Sequence, residues 1–290
     1  MTFTSAANTG PTEMDLILSI VQEELVRSAK LRPTVTDYSS FAEKGMKSIE
    51  IPRYDSHFAA PAAQNPDGTT EVAADTFDLA VDTISLDQWK TKYWEIPDRV
   101  NAQTRVQLVS EAAAAAGRAM GNDEDDDIIA ELRLAADGTG GLPDHRIQLS
   151  GGTNDEITLS DITEARKLLN KANVSEMDRF LLVSPDQEKA MLDIANFIEA
   201  DKYGAREALL DGEIGRVFGF RVMVHNGLAD AEAIAYQKQA VGIAYQQEMR
   251  FESRRAKLSL QKTEYSIAVG RGQEVLEQGV KQVLLNSTGT

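Results

Sequence analysis

The chain has 290 residues, 42% of them hydrophobic, with 46 Asp and Glu against 30 Lys and Arg for a formal charge of −16. That length and apolar content suffice for a full core in one large or two modest domains, while the acidic balance repels phosphate backbones and disfavours a general nucleic-acid binder. Without cysteine there is no disulfide framework, thiolate metal site or cysteine nucleophile, and with neither a basic-then-apolar leader nor a run approaching roughly 18 apolar residues, a soluble, unexported protein is expected.

Residues 1–12 are small and polar, and loose order is expected there. Met14, Ile17, Leu18, Val21 and Leu25 then recur at helical spacing and predict an amphipathic helix that ends before Pro33. Leu31 to Gly45 reads as an extended connector without helical period, so the apolar stripe has little neighbouring sequence to pack on, which suggests a docking arm. Ser48 to Tyr54 reads as a strand, and Phe77 to Pro97 as a long strand or a strand pair, with Phe77, Leu79 and Val81 alternating. The residues between them are rich in Ala, Pro and Gly, and the simplest geometry is a long hairpin with a mobile tip. Such a hairpin cannot bury both faces within a small domain and leaves an open edge, for which a partner subunit is the natural cover. Trp89, Tyr93 and Trp94 crowd its base, as core or as an inter-subunit anchor.

From Asn101 the pattern is helical, with Val106, Val109, Ala113, Ala116 and Met120 on one face, resuming at Ile128 and Leu132 after an acidic interruption. The Ala112 to Ala116 run gives this helix a thin side. A Gly-rich loop spans Asp137 to Gly152, after which Ser160 or Asp161 is the expected N-cap for Ile162, Ala165, Leu168, Leu169 and Ala172. Phe180 to Pro185 reads as a buried strand and Asp186 to Phe197 as a helix. Beyond the punctuation at Gly212, Gly215 and Gly219, period-two alternation marks strands at Phe220, Val222 and Val224 and at Tyr265, Ile267 and Val269, with a last strand from Val280 to Leu285. The fold class is α+β.

No chemistry stands out. Asp123, Asp125 and Asp127 match the first ligand spacings of an EF-hand loop, but Ile128 replaces the required Gly and Leu134 the bidentate Glu, so the run is expected to be a solvated helix face or a kink. His57, His145 and His225 lie in separate segments without metal-ligand spacing, and Ser150 and Ser184 lack a nucleophile elbow. Gly138 to Gly141 and Gly270-Arg271-Gly272 satisfy neither the dinucleotide nor the P-loop pattern and read as turns. No catalytic, cofactor or metal residue is assigned.

In order, the arm, the hairpin, the long helix, the helix and strand body and the returning strands resemble a tailed-bacteriophage major capsid protein of the Hong Kong 97 fold. The resemblance is firmest at RVQLVSEAAAAAGRAMGNDEDDDIIAEL, similar to the family's spine helix, at ITEARKLLNKANVSEMDRFLLVSPDQEKAMLDI and at GEIGRVFGFRVMVHN. It implies an N-terminal arm over residues 1–45, an extended loop over 46–97, a peripheral domain over 98–156 and 252–290 and an axial domain over 157–251. It also implies a subunit that assembles as pentamers and hexamers into an icosahedral virion shell around double-stranded DNA, without sequence-specific binding and without a membrane. Assembly in the host cytoplasm, a separate scaffolding protein (or an already processed chain), a portal and a decoration protein belong to the same expectation. Lysine to asparagine welding through the loop tip is not expected, because no lysine occurs between Tyr54 and Leu86 and only Lys47, Lys90 and Lys92 sit at its base.

On this basis the candidate subunit interface is Met14, Ile17, Leu18, Val21, Leu25, Trp89, Tyr93 and Trp94, and removing residues 1–32 or replacing Trp94 with Ala should hinder assembly more than folding. The alternatives are an encapsulin-like nanocompartment shell, an acidic metal-dependent hydrolase using Asp123 to Asp127, and a soluble binding module.

Overall fold

A computed structural model describes residues 13–54, 79–98, 108–151, 155–193, 215–256 and 261–287. The first twelve residues, the hairpin tip with His57, Val106, Gly152, Gly212 and the predicted helix beyond Asp193 lie outside the described residues. Helix α1 (Glu13–Ser28) is followed by a short 3-10 turn and strand β1 (Thr36–Asp37), then by β2 (Ser48–Tyr54), β3 (Leu79–Ser85) and β4 (Gln88–Pro97). Next come α2 (Leu108–Leu132), β5 (Arg146–Gln148), α3 (Leu159–Lys171), β6 (Arg179–Val183) and α4 (Pro185–Asp193). The chain finishes through β7 (Arg216–Val217), β8 (Phe220–Val224), β9 (Glu232–Gln237), β10 (Val241–Arg255), β11 (Lys262–Val275) and β12 (Gln282–Asn286).

The 25 residues of α2 span roughly 37 Å at the α-helical rise, and they join two sheets. A four-stranded sheet, ordered β1-β10-β11-β4, carries α1 and the first half of α2. A six-stranded mixed sheet, ordered β5-β12-β9-β6-β8-β7, is packed on both faces. Phe180, Leu182, Ile234 and Tyr236 point to Ile128, Ile129 and Leu132 at the end of α2. Leu181, Val183, Ala233 and Ala235 point to Ile162, Ala165 and Leu169 of α3. Burial on both faces is why FLLV reads as a continuous apolar run rather than an alternation.

The acidic run does not interrupt α2, which is one helix through it. Its thin side is where α1 crosses: a Cβ on Gly117 would lie 2.6 Å from the Val21 carbonyl oxygen, and Val21 packs with Ala113, Ala116, Phe251 and Ile267. The stripe thus finds its partner about ninety residues away in the same chain, out of reach of a neighbouring-sequence argument. The connector is likewise part of the core, with Leu31 and Val35 buried against Ile128 and Ile243 and β1 pairing parallel to β10.

Phe77 to Pro97 resolves as a strand pair. β3 forms the two-stranded hairpin sheet with β2, while β4 leaves it for the edge of the four-stranded sheet beside β11. Two local readings need correction. The N-cap of α3 is Thr158, whose hydroxyl accepts the Asp161 N–H while the Asp161 carboxylate accepts the Thr158 N–H, so Asp161 sits inside a capping box and is not the cap. Gly270-Arg271-Gly272 is not a turn but the middle of β11. Its glycines admit close neighbours there, Gly270 the Trp89 indole and Gly272 the backbone of Ser85 and Leu86.

Candidate functional site

The acidic run is the most heavily partnered charged segment of α2. Helical period brings Asp123 and Asp127, four residues apart, to one face, where adjacent strands deliver two cations. Arg271 of β11 donates from Nη2 to Asp123 at 2.7 Å and to Asp127, and Lys90 of β4 stands 3.3 Å from each. Arg271 is 1% exposed, as is Glu124, whose carboxylate lies 3.7 Å from Arg271 Nη1 and 4.0 Å from Arg32 Nε.

Asp125, i+2 from Asp123, points about 200° around the helix and is fully buried on the far side. Its carboxylate accepts the N–H groups of Lys30 and Leu31 at 2.9 and 3.0 Å, which fixes the chain as it leaves α1. His225 donates from Nε2 to Asp125 at 3.1 Å, a tautomer set by Nδ1 accepting the Gly227 N–H. The expected solvated face holds for Asn122 and Asp126, which are exposed, but Glu124 and Asp125 are buried and Asp123 and Asp127 partly so; there is no kink, and the run is an ionic junction joining α1, α2, β4, β11 and the loop after β8. A helix carries residue i+2 to the side opposite i and i+4, so Asp125 points away from Asp123 and Asp127 and the three aspartates do not converge as loop ligands do. Among the described residues no group of three or more His, Asp or Glu has metal-holding geometry.

Burial dominates the proton affinities here. It raises Glu124, with Tyr245, Arg32 and Arg271 pulling the other way, and it raises Tyr245, which Glu124 lifts further. His145, far from the run, is lowered by burial and held by the Gln282 carbonyl. Ser184 caps α4 through the Gln187 N–H and donates to the Asp230 carbonyl, and Ser150 donates to Asp161. Both serines are structural.

The eight candidate interface residues separate. Of Met14 and Ile17 only the backbone is described. Val21 and Leu25 are buried against α2 and Leu18 packs beside them. Trp94 stacks on Tyr265 with centroids 5.7 Å apart and leans on Phe251 at 6.2 Å, inside the sheet face that α1 and α2 cover. Trp89 and Tyr93, on the opposite face of β4, are 57% and 54% exposed. Alternation along β4 separates Trp89 from Trp94, which the sequence reading had left together as core or anchor. That reading missed Arg271, because a lone arginine between two glycines gives no local hint of carboxylates 144 and 148 residues away.

A family model described as phage capsid protein matches residues 20–283. Among solved structures, one titled Mycobacterium phage Che8 is 22% identical, with a TM-score of 0.71 over 90% of this chain and 92% of that one. The capsid of the cyanophage P-SCSP1u is 19% identical, with a TM-score of 0.70 over 87% of this chain and 86% of that one. A virus-like particle from Pyrococcus furiosus is 13% identical, with a TM-score of 0.61 over 95% of this chain and the whole of that one. No curated sequence matches the chain.

Proposed function

The chain belongs to the phage capsid protein family and is a major capsid protein, a shell-forming subunit of the Hong Kong 97 fold; from that premise we propose how it builds the shell. Copies associate as pentamers and hexamers into a closed icosahedral particle that holds double-stranded DNA, the role being structural with no catalytic step. The division into arm, extended loop, peripheral domain and axial domain at residues 1–45, 46–97, 98–156 with 252–290, and 157–251 belongs to this proposal. So do assembly in the host cytoplasm and a separate scaffolding protein, portal and decoration protein.

The observation that carries the proposal is the hairpin β2–β3. It is a two-stranded sheet of its own, a unit marginal in water unless something covers it; Ile49 and Ile84 cover one face against Ala244 and Leu276, while the other face exposes Val81 to 52%. Pro52, paired with Val81, removes a donor from one strand. A second copy lying across this hairpin supplies the cover, and Trp89 and Tyr93 offer a further apolar surface for contact. The chain's net charge of −16 lets a wall repel packaged DNA rather than grip it.

Replacing Val81 with Asp tests the reading, because a charge on an exposed strand face costs the isolated subunit little but must be desolvated under a neighbour. Unchanged thermal melting with loss of closed particles in sedimentation velocity is expected. Particles formed at wild-type yield would contradict the hairpin's role.

A further inference from the structure

β7 and β8 close the six-stranded sheet at one end, and their antiparallel register sets Arg216 directly opposite Arg221. Residues so opposed project from the same face of a sheet, and like charges in that position repel. Both arginines are exposed, and among the described residues neither forms an ion pair with a carboxylate. Arg221 rests its guanidinium over the ring of Phe180, its neighbour on β6, 5.7 Å from the centroid. That contact holds the side chain in place and leaves its charge unneutralised.

The two arginines share a cleft of about 270 Å³ with Glu176, Met177, Asp178 and Phe180. Glu176 is already engaged by Arg166 at 3.4 Å and by Asn170, and Asp178 forms no ion pair with either arginine. Met177, 75% exposed, adds an apolar rim. The cleft therefore offers two guanidinium groups and an apolar margin to whatever lies outside it. Its size suits one side chain and not a run of phosphodiesters, which the two rim carboxylates would also repel.

We propose that Arg216 and Arg221 clamp one Asp or Glu side chain of a second copy of this chain, its carboxylate bridging the two guanidiniums and its stem lying against Met177 and Phe180. The proposal rests on the shell reading above. Rings of five or six copies join head to tail, so a basic patch on one copy meets a different patch on the next. With 46 acidic residues against 30 Lys and Arg, carboxylates are the groups a neighbour has to spare. An arginine fork matches the two oxygens of a carboxylate, and the bound acid removes the repulsion between the opposed cations.

The test uses the full chain carrying Arg216→Lys or Arg221→Lys, assembled from a mixture of heavy-isotope-labelled and unlabelled subunits, treated with a zero-length carbodiimide and digested for mass spectrometry. Such coupling joins an amine only to a carboxyl in direct contact. An amide between the introduced amine and an Asp or Glu is expected, in mixed-isotope pairs, present in particles and absent from unassembled subunits. The double variant Arg216→Gln, Arg221→Gln should keep the wild-type melting temperature and weaken subunit association about tenfold or more, as loss of charge-assisted hydrogen bonds requires. An amide formed only within one copy, to Glu176 or Asp178, overturns the proposal, as does wild-type association of the double variant, which would make the pair a guard on an edge strand. Wild-type binding of a short oligonucleotide that the double variant loses would assign the clamp to phosphate and overturn it as well. Wild-type particles without the link remove the proposal alone; a wild type that forms no ring or particle removes the shell reading and the proposal with it.

Discussion

Arg271 is the largest fully buried side chain of the described protein, and its burial is tolerable only because three carboxylates surround it. Arg271→Ala leaves Asp123, Asp127 and Glu124 with less compensating charge, and a loss of about 3–5 kcal/mol in urea unfolding is expected; a loss below about 1 kcal/mol would place the junction among weak surface pairs. Glu131, further along α2, accepts the Val275 N–H, yet burial first, then Glu274 and Asp127, push its carboxyl up from 4.5 to about 7. The folded state therefore holds a proton that the unfolded chain releases near 4.5, so this group makes stability fall as pH rises from about 4.5 to about 7. Glu131→Gln is expected to stabilise the protein by about 1–2 kcal/mol at roughly pH 8, a shift discounted for partial solvation. The gain should vanish toward pH 4.5; a gain independent of pH would reject the titration. At this scale the sequence was least legible: a charge run usually marks a solvated face, and only the distant Arg271 and Lys90, with the arm's exit at Lys30 and Leu31, draw Glu124 and Asp125 of this one into the core.

Elements were more legible, because period is a local property. Phe220 to Val224 and Tyr265 to Val269 lie where alternation put them, the terminal strand overlaps its apolar run at Gln282–Asn286, and the strand following α3 is buried on both faces, as its unbroken apolar run implies. The N-cap of α3 was a choice among neighbouring residues, but the larger misreadings share one cause, a partner far along the chain. Acidic residues look like an interruption of α2 until Arg271 and Lys90 are placed against them, and the α1 stripe looks unpartnered until the Ala-rich side of α2 is. Gly117 is where that pairing is tightest. Gly117→Val would drive a side chain into the backbone of Val21, and a cost of about 1–3 kcal/mol is expected from overpacking, together with protease sensitivity of α1. Equal melting temperature and intact protection of α1 would contradict the crossing. Trp94, stacked on Tyr265 and Phe251, and Val21, buried on α2, both belong to the subunit's own packing. Trp94→Ala and removal of residues 1–32 are therefore expected to disturb folding as well as assembly, whereas Trp89 and Tyr93 probe the outer face alone.

For the whole molecule, α2 makes one object of two sheets, its first half under the four-stranded sheet and its end in the core of the six-stranded one. The ionic junction lies between those halves and ties the arm and strand β11 to the helix through Asp123, Asp125 and Asp127. Among the described residues the subunit leaves one face of the hairpin β2–β3 and the outer face of β4 exposed, the surfaces proposed above for contact with neighbours. Order of elements carried the family resemblance in the sequence, since succession survives where side-chain detail diverges. The angle between sheets and the choice of which face of β4 turns outward depend on contacts between distant segments, which no local pattern carries. The central claim is that this chain closes into a shell, and electron microscopy of the purified protein, alone and coexpressed with its neighbouring genes, tests it most directly. Closed icosahedral particles or ordered pentamers and hexamers are the predicted result; a monomer under every condition, with scaffold candidates present, would contradict it.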